Sequence, residues 1–232
     1  MTAAMHEFDT GEALAEGLAG TVAAALEAAI AARGAATLAV SGGSTPKAFF
    51  RALSSKALDW SKVTVTLVDE RFVGPQSERS NHRLVAENLI ANAAAHAAFV
   101  PLFHDVATAQ DAAAIATRET ANLCSPFDVA ILGMGNDGHT ASFFPGGSRL
   151  AEALDLETPR GVITMEAEGA GEPRLTFTFS ALHDARLLVL HIEGEGKKAV
   201  LSKAQKGSEE AEMPIRAVLN RAATPLAVYW AP

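Results

Sequence analysis

Three stretches of this sequence combine residue types that do chemistry. The first is Ser41-Gly42-Gly43-Ser44-Thr45-Pro46-Lys47. Its two glycines let backbone come close to a ligand. A helix opening after them aims unpaired N–H groups and a positive dipole end at the loop, which favours an anion. Ser44 and Thr45 add hydroxyl donors, and Lys47 adds a charge. The glycine spacing is not that of a nucleotide-binding P-loop. The second stretch is Asp69-Glu70-Arg71 at the end of a β-branched run, with Ser80-Asn81 further on. An Asp at a strand end projects into a crevice, and an Arg can grip a phosphate or carboxylate with two parallel bonds.

The third runs from Gly133 through Gly135, Asp137, Gly138 and His139 to Pro145. It matches G-x-G-x-x-G after a strand, but a dinucleotide site needs a helix starting at its last glycine. Pro145-Gly146-Gly147 interrupts any such helix, and Asp137 would repel a phosphate. An Asp and a His in a glycine-rich strand-end loop suit acid–base catalysis, because imidazole titrates near neutral pH. The other histidines, His6, His82, His96, His104, His183 and His191, stand in no chemical motif, although His82 adjoins Ser80-Asn81. No metal site is expected. HExxH and CxxC are absent, and Asp137 with His139 makes two ligands where a catalytic zinc needs three from the protein. Two further sites could hold an anion: Arg174, opening an alternating run, and Lys197-Lys198 after Gly194-Glu195-Gly196. A Lys at a helix N-terminus opposes the dipole, which hints at a role other than stability.

The elements that must position these residues follow from periodicity. Leu14, Leu18, Val22, Leu26 and Ile30 recur every fourth residue and predict a helix over Glu12–Arg33, closed by Gly34. Thr37–Ser41 predicts a strand, followed by a helix carrying Lys47, Phe49, Phe50 and Leu53, with Ser44 or Thr45 as cap and Pro46 in its first position. Further strands are expected at Val63–Asp69, Phe99–Phe103, Phe127–Leu132, Gly161–Glu166, Arg174–Phe179, Arg186–Ile192 and Leu226–Trp230. The alternation in Arg174–Phe179 suits a half-exposed or edge strand. Helices are expected from Ser80 or Asn81 to Leu89, and over Asp111–Cys124, Gly196–Gln205 and Pro214–Asn220. Strands alternating with helices predict an α/β fold with a mainly parallel sheet, whose ligands bind at strand carboxyl ends near a switch in strand order.

Composition bounds the rest. The 232 residues carry 19 Lys+Arg against 27 Asp+Glu, a net charge of −8. A chain of that length needs no staple, and one domain over 1–232 is expected. The acidic balance argues against nucleic acid, which demands a basic stripe. The single Cys124 fits a reducing compartment. The first 18 residues lack the pattern of a secretory leader, and the most apolar stretches, such as Leu187–Leu190, are expected to be far too short to span a bilayer. A cytoplasmic protein with no membrane partner is expected.

Taken together, Ser41–Pro46, Val68–Arg71, Ser80-Asn81 and Gly133–Ser142 resemble the 6-phosphogluconolactonase family, in order and spacing along the whole chain. The resemblance implies a Rossmann-like α/β sandwich similar to the glucosamine-6-phosphate deaminase fold. It implies hydrolysis of 6-phospho-D-glucono-1,5-lactone to 6-phospho-D-gluconate, the second step of the oxidative pentose phosphate pathway, with no cofactor. His139 is then the general base on water. Lys47, Arg71, Arg174 and Lys197 share the phosphate and the oxyanion, helped by Gly42, Gly43, Ser44, Thr45, Asn81, Gly135 and Gly138. Asp69 or Asp137 orients substrate hydroxyls or His139. The expected partner is the phosphosugar lactone, and the expected state a monomer or weak homodimer. Two rivals stand beside this. A deaminase or isomerase resembles it but carries a Glu shortly after its Asp-Gly-His, where this chain has Phe143-Phe144-Pro145. A non-enzymatic sugar-phosphate sensor would carry a DNA-binding helix-turn-helix, and neither end has the basic charge for one.

Overall fold

Short aliphatic strands separated by helices pair in parallel, because each helix carries the chain back across the sheet before the next strand begins. The computed structural model describes residues 4–232. In chain order it contains β1 (Ala4–Glu7), α1 (Gly11–Arg33), β2 (Ala36–Val40), α2 (Lys47–Ser54), β3 (Val63–Leu67), β4 (Asp69–Arg71), α3 (Asn81–Asn88), β5 (Ala98–Val100), α4 (Ala109–Thr120) and β6 (Val129–Leu132). There follow α5 (Leu150–Leu154), β7 (Val162–Met165), β8 (Arg174–Phe177), α6 (Phe179–Leu182), β9 (Leu187–Glu193), α7 (Glu195–Gln205), α8 (Ile215–Arg221) and β10 (Leu226–Ala231).

Seven strands form one sheet in the order β1-β10-β9-β6-β2-β3-β5, and every pairing in it is parallel. The mainly parallel α/β expectation holds. Strand order departs in opposite directions from β2 and β6, which lie side by side with Val40 against Ile131. Their carboxyl ends form the switch point, and there the Ser41–Pro46 and Gly133–Gly138 loops meet. The Ser41 N–H donates to the Ile131 carbonyl at 3.0 Å, and the Gly133 N–H donates to Ser41 Oγ at 3.2 Å.

The helices cover the sheet as their periodicity predicts. Leu14, Leu18, Val22 and Leu26 of α1 are fully buried. Thr10 caps its start through Oγ1, and Gly34 closes it at φ +81°. One expectation needs correcting here. The alanines of α1 make it long and apolar enough, by length and composition alone, to cross a membrane. Its spaced leucines pack instead against the sheet and α2, as in a core helix.

Three differences in the strands matter for the site. The Val63–Asp69 run is two strands, because the chain leaves the main sheet after Leu67 and Asp69–Arg71 joins a second, antiparallel sheet ordered β4-β8-β7. Arg174–Phe177 is not an edge strand: it is the middle strand of that sheet and buried throughout. Its polar residues face protein, with the Ser142 N–H donating to Thr176 Oγ1 at 3.3 Å. Thr178 then starts α6. Strand β1 was not expected, since its four residues are all exposed and show no alternation.

Candidate active site

A cleft of about 310 Å³ opens at the switch point. Gly42, Gly43, Ser44, Thr45, Asp69, Arg71, Asn81, Gly135, His139, Arg174 and Lys197 all line it, although they come from six separate segments. Three expected residues do not. Asp137 stands behind His139. Gly138 turns the loop at φ +81°, where a Cβ would come 2.9 Å from Met213. Lys47 is the first residue of α2, exposed, and does not line the cleft as it stands. Neither Ser44 nor Thr45 caps α2, which starts after Pro46 with no side-chain cap. The N–H groups of residues 42–45 donate to no protein acceptor, which keeps the loop open to an anion. Gly42 does not clear space for a ligand: a Cβ there would come 1.8 Å from Asn81 Oδ1, so its bareness admits Asn81.

The Gly-Asp-Gly-His loop builds a dyad. His139 Nδ1 lies 2.6 Å from Asp137 Oδ1, and the His139 backbone N–H donates to the same oxygen at 3.1 Å. A carboxylate only accepts, so Nδ1 carries the hydrogen and Nε2 is left with a free lone pair. Burial tends to raise the Asp137 carboxyl, but the His139 backbone N–H and imidazole outweigh it and hold the carboxyl below its ordinary value. The loop is fixed by the Gly135 N–H to the His139 carbonyl at 2.8 Å and by Thr140 Oγ1 to the Gly133 carbonyl at 2.8 Å. Ala141, directly after it, sits at φ +49°, a strained position for a residue with a Cβ. Phe144 covers the imidazole with ring centroids 4.7 Å apart, and the Arg174 guanidinium lies over the same Phe144 ring.

Facing the dyad is a set of cations. Arg71 and Arg174 are direct cross-strand neighbours on β4 and β8. Each spends one guanidinium nitrogen on a backbone carbonyl, Arg71 on Arg79 at 2.5 Å and Arg174 on Ala170 at 2.6 Å. Each also keeps a buried Nε without a partner. Two like charges held side by side with unmet donors are the mark of a place for an anion. Burial pushes the Arg174 guanidinium down from its usual value, against the pull of Asp69. Lys197 reaches in from α7 and donates to the Met134 carbonyl at 2.7 Å. Burial lowers its ammonium, against the pull of Asp137. Lys198 instead lies on the Trp230 ring at 3.6 Å. Asp69 accepts from Ser142 Oγ at 2.5 Å, and its carbonyl accepts from Asn81 Nδ2 at 2.8 Å. Among the described residues, no three His, Cys, Asp or Glu side chains converge as metal ligands would.

Sequence reasoning passed over two groups. One is Glu70, quoted in its motif but given no role. It is fully buried, and its carboxylate accepts the N–H groups of Arg71, Asn81 and His82 at 2.7–2.8 Å and Ser80 Oγ at 3.1 Å. It thereby ties β4 to the start of α3 and places Arg71 and Asn81. Burial holds its carboxyl above the ordinary value even so, the four donors only partly offsetting the desolvation. A carboxyl raised on folding favours the fold when protonated, so this contribution should fade as pH rises through that range. Glu70→Ala strands four buried donors and should cost about 3–5 kcal/mol, read as a fall in the urea midpoint. A shift below about 1 kcal/mol would show that the donors find other partners. The other group is His191 with Glu193, on the wall that β9 contributes to the cleft.

The family described as glucosamine-6-phosphate isomerases/6-phosphogluconolactonase matches residues 9–230. A 6-phosphogluconolactonase of Rhizobium meliloti is 70% identical over 232 residues, the whole of both chains. The crystal structure of a 6-phosphogluconolactonase from Shewanella baltica superposes with a TM-score of 0.95 at 42% identity, covering 99% of this chain and 98% of that one. A monomeric glucosamine-6-phosphate deaminase shares the fold alone, with a TM-score of 0.77 at 16% identity over 98% of this chain and 97% of that one.

Proposed function

Because the chain belongs to the glucosamine-6-phosphate isomerase/6-phosphogluconolactonase family, we propose that its cleft hydrolyses 6-phospho-D-glucono-1,5-lactone to 6-phospho-D-gluconate, the lactone-opening step of the oxidative pentose phosphate pathway. The observation that carries this reading is the dyad: Asp137 fixes Nδ1–H of His139 at 2.6 Å and leaves Nε2 basic, within a cleft whose other wall is cationic. Nε2 takes a proton from water as the hydroxide oxygen bonds to the lactone carbonyl carbon. The carbonyl oxygen becomes an oxyanion. When the C1–O5 bond breaks, the proton returns to O5, the new hydroxyl of the open acid.

The cations divide the negative charge. The free amides at 42–45, together with Arg174 and Lys197, hold the phosphate, and Arg71 faces the oxyanion. Asp69, fixed by Ser142, accepts from substrate hydroxyls. The chain from 1 to 232 works as one domain, in the cytoplasm, as a monomer or weak homodimer. Every group named comes from one chain, and none requires a cofactor. A deaminase reading finds no support in the loop, where Phe144 rather than an acid lies against His139.

The test is a coupled assay in which the lactone is made in situ and its loss is followed against an enzyme-free blank, since the lactone also opens spontaneously. Acceleration over the blank should persist in full after dialysis against EDTA. A rate no faster than the blank would refute the activity, and a rate restored only by adding metal would refute the metal-free mechanism.

A further inference from the structure

A second imidazole–carboxylate pair lines the same cleft. His191 and Glu193 lie two residues apart on β9 and so share one face of the strand. His191 Nε2 stands 3.1 Å from Glu193 Oε1. His191 is 4% exposed in a strand otherwise built of Leu187, Leu188, Val189, Leu190 and Ile192, with Phe49 edge-on to its ring. Its Nδ1 is buried and has no partner. A carboxylate partner puts the hydrogen on Nε2, so Nδ1 is an acceptor left unsatisfied in the core. A leucine would pack there with no orphaned nitrogen, so the histidine opposes stability. A residue that breaks a local rule in this way points to function.

What the histidine does is hold Glu193. The carboxylate is partly exposed, its second oxygen accepts from no protein donor, and it borders the cleft. It rests against Gly11 at the start of α1, where a Cβ would come 3.2 Å from Oε2. The cleft is otherwise rich in donors: two guanidinium groups, an ammonium and free amides. A lactone sugar brings hydroxyl donors of its own, and these need acceptors. Of the two carboxylates that line the cleft, Asp69 already takes the Ser142 hydroxyl on one oxygen and has only the other for a substrate hydroxyl. We propose that Glu193, aligned by His191, is the acceptor that reads a ring hydroxyl of the substrate. Glu193 is then a specificity-determining residue and His191 a positioning residue. This inference rests on the lactone reading of the site.

The experiment compares kcat/KM for the 6-phosphogluconolactone with that for its 2-, 3- and 4-deoxy analogues, each generated in situ from the matching sugar phosphate. Glu193→Ala should lose about ten- to a hundredfold on the parent lactone, mainly through KM, as expected for a hydrogen bond to a charged acceptor. That loss should vanish on the one analogue lacking the hydroxyl that Glu193 reads, since wild type has already lost the contact there. His191→Leu should follow the same substrate pattern with an unchanged or higher Tm, whereas a purely structural histidine would lower Tm and leave KM alone. Glu193→Gln keeps the shape and one acceptor oxygen, and it decides by the same comparison if the alanine variant does not fold. Losses of equal factor on all four lactones, or no loss on the parent, would overturn the inference while leaving the lactone reading intact. Wild type failing to accelerate any of the four lactones would instead overturn the lactone reading, and this inference with it.

Discussion

Replacing His139 with alanine should reduce kcat on the phosphorylated lactone on the order of 10²–10⁴-fold while the protein stays folded. The side chain is about one-third exposed, and its one polar partner is Asp137 at 2.6 Å, so removing it opens no cavity in the core. What is lost is the one imidazole among the described residues whose Nδ1 lies on a carboxylate in the cleft while Nε2 has no protein partner. Asp137 is kept ionised below its ordinary range by the His139 backbone N–H and ring. Gly135→Ala is an independent route to the same failure. A Cβ there would stand 2.1 Å from His139 Nδ1 and 2.5 Å from Asp137 Oδ1, so the dyad must part although both members remain. Steady-state kinetics with thermal unfolding decides the matter. A folded His139→Ala enzyme with near-normal kcat would remove His139 from the role of base.

The parallel sheet was legible because its central strands are buried on both faces and therefore read as apolar runs, such as Val129–Leu132. Helix α1 was legible from a four-residue repeat closed by a glycine. What escaped lies where tertiary contact overrides local pattern. Arg174 and Thr176 alternate with apolar neighbours as an exposed strand would, yet their polar groups are met by the Ala170 carbonyl and the Ser142 amide instead of water. A period of two reports that two faces differ, not that one is wet. Likewise, nothing in Val63–Arg71 marks the point at which the chain leaves one sheet for another.

The site was legible where glycine, charge and a strand end coincide, and less so where a single side chain mattered. Lys47 looked like part of an anion loop by sequence distance, but it is the first residue of α2 and does not line the cleft beside residues 42–45. Conversely, His191 and Glu193 sit in an aliphatic strand with no motif around them. Only the register of β9 beside β6 shows that they reach the cleft, with Leu190 opposite Leu132 and both chains continuing to its wall. Glu70 carried a weak cue, an acid between two functional residues. Its role as anchor depends on α3 and its Ser80 cap presenting two amides and a hydroxyl to a carboxylate that also takes the Arg71 amide, which no local pattern announces.

Removing the phosphate from the substrate, or its holders from the protein, should lower kcat/KM steeply and in a way that separates the cations by role. The phosphate lies away from the reacting carbon, so its binding energy can position that carbon against the water on His139. Arg174→Ala and Lys197→Ala should each lose about ten- to a hundredfold on 6-phosphogluconolactone and little on glucono-1,5-lactone. Arg71→Ala should lose on both lactones, because an oxyanion forms on each. Lys47→Ala should match wild type on both, since its side chain lies outside the cleft. Burial already lowers the Lys197 ammonium, so the advantage of the phosphorylated substrate should decline as pH rises through that lowered value. In the Lys197→Ala variant that decline should be missing. The measurement is kcat/KM for both lactones in wild type and the four variants, across pH. Equal losses on the two lactones from Arg174→Ala and Lys197→Ala would move those residues to the oxyanion. A loss from Arg71→Ala confined to the phosphorylated lactone would then place the phosphate on Arg71.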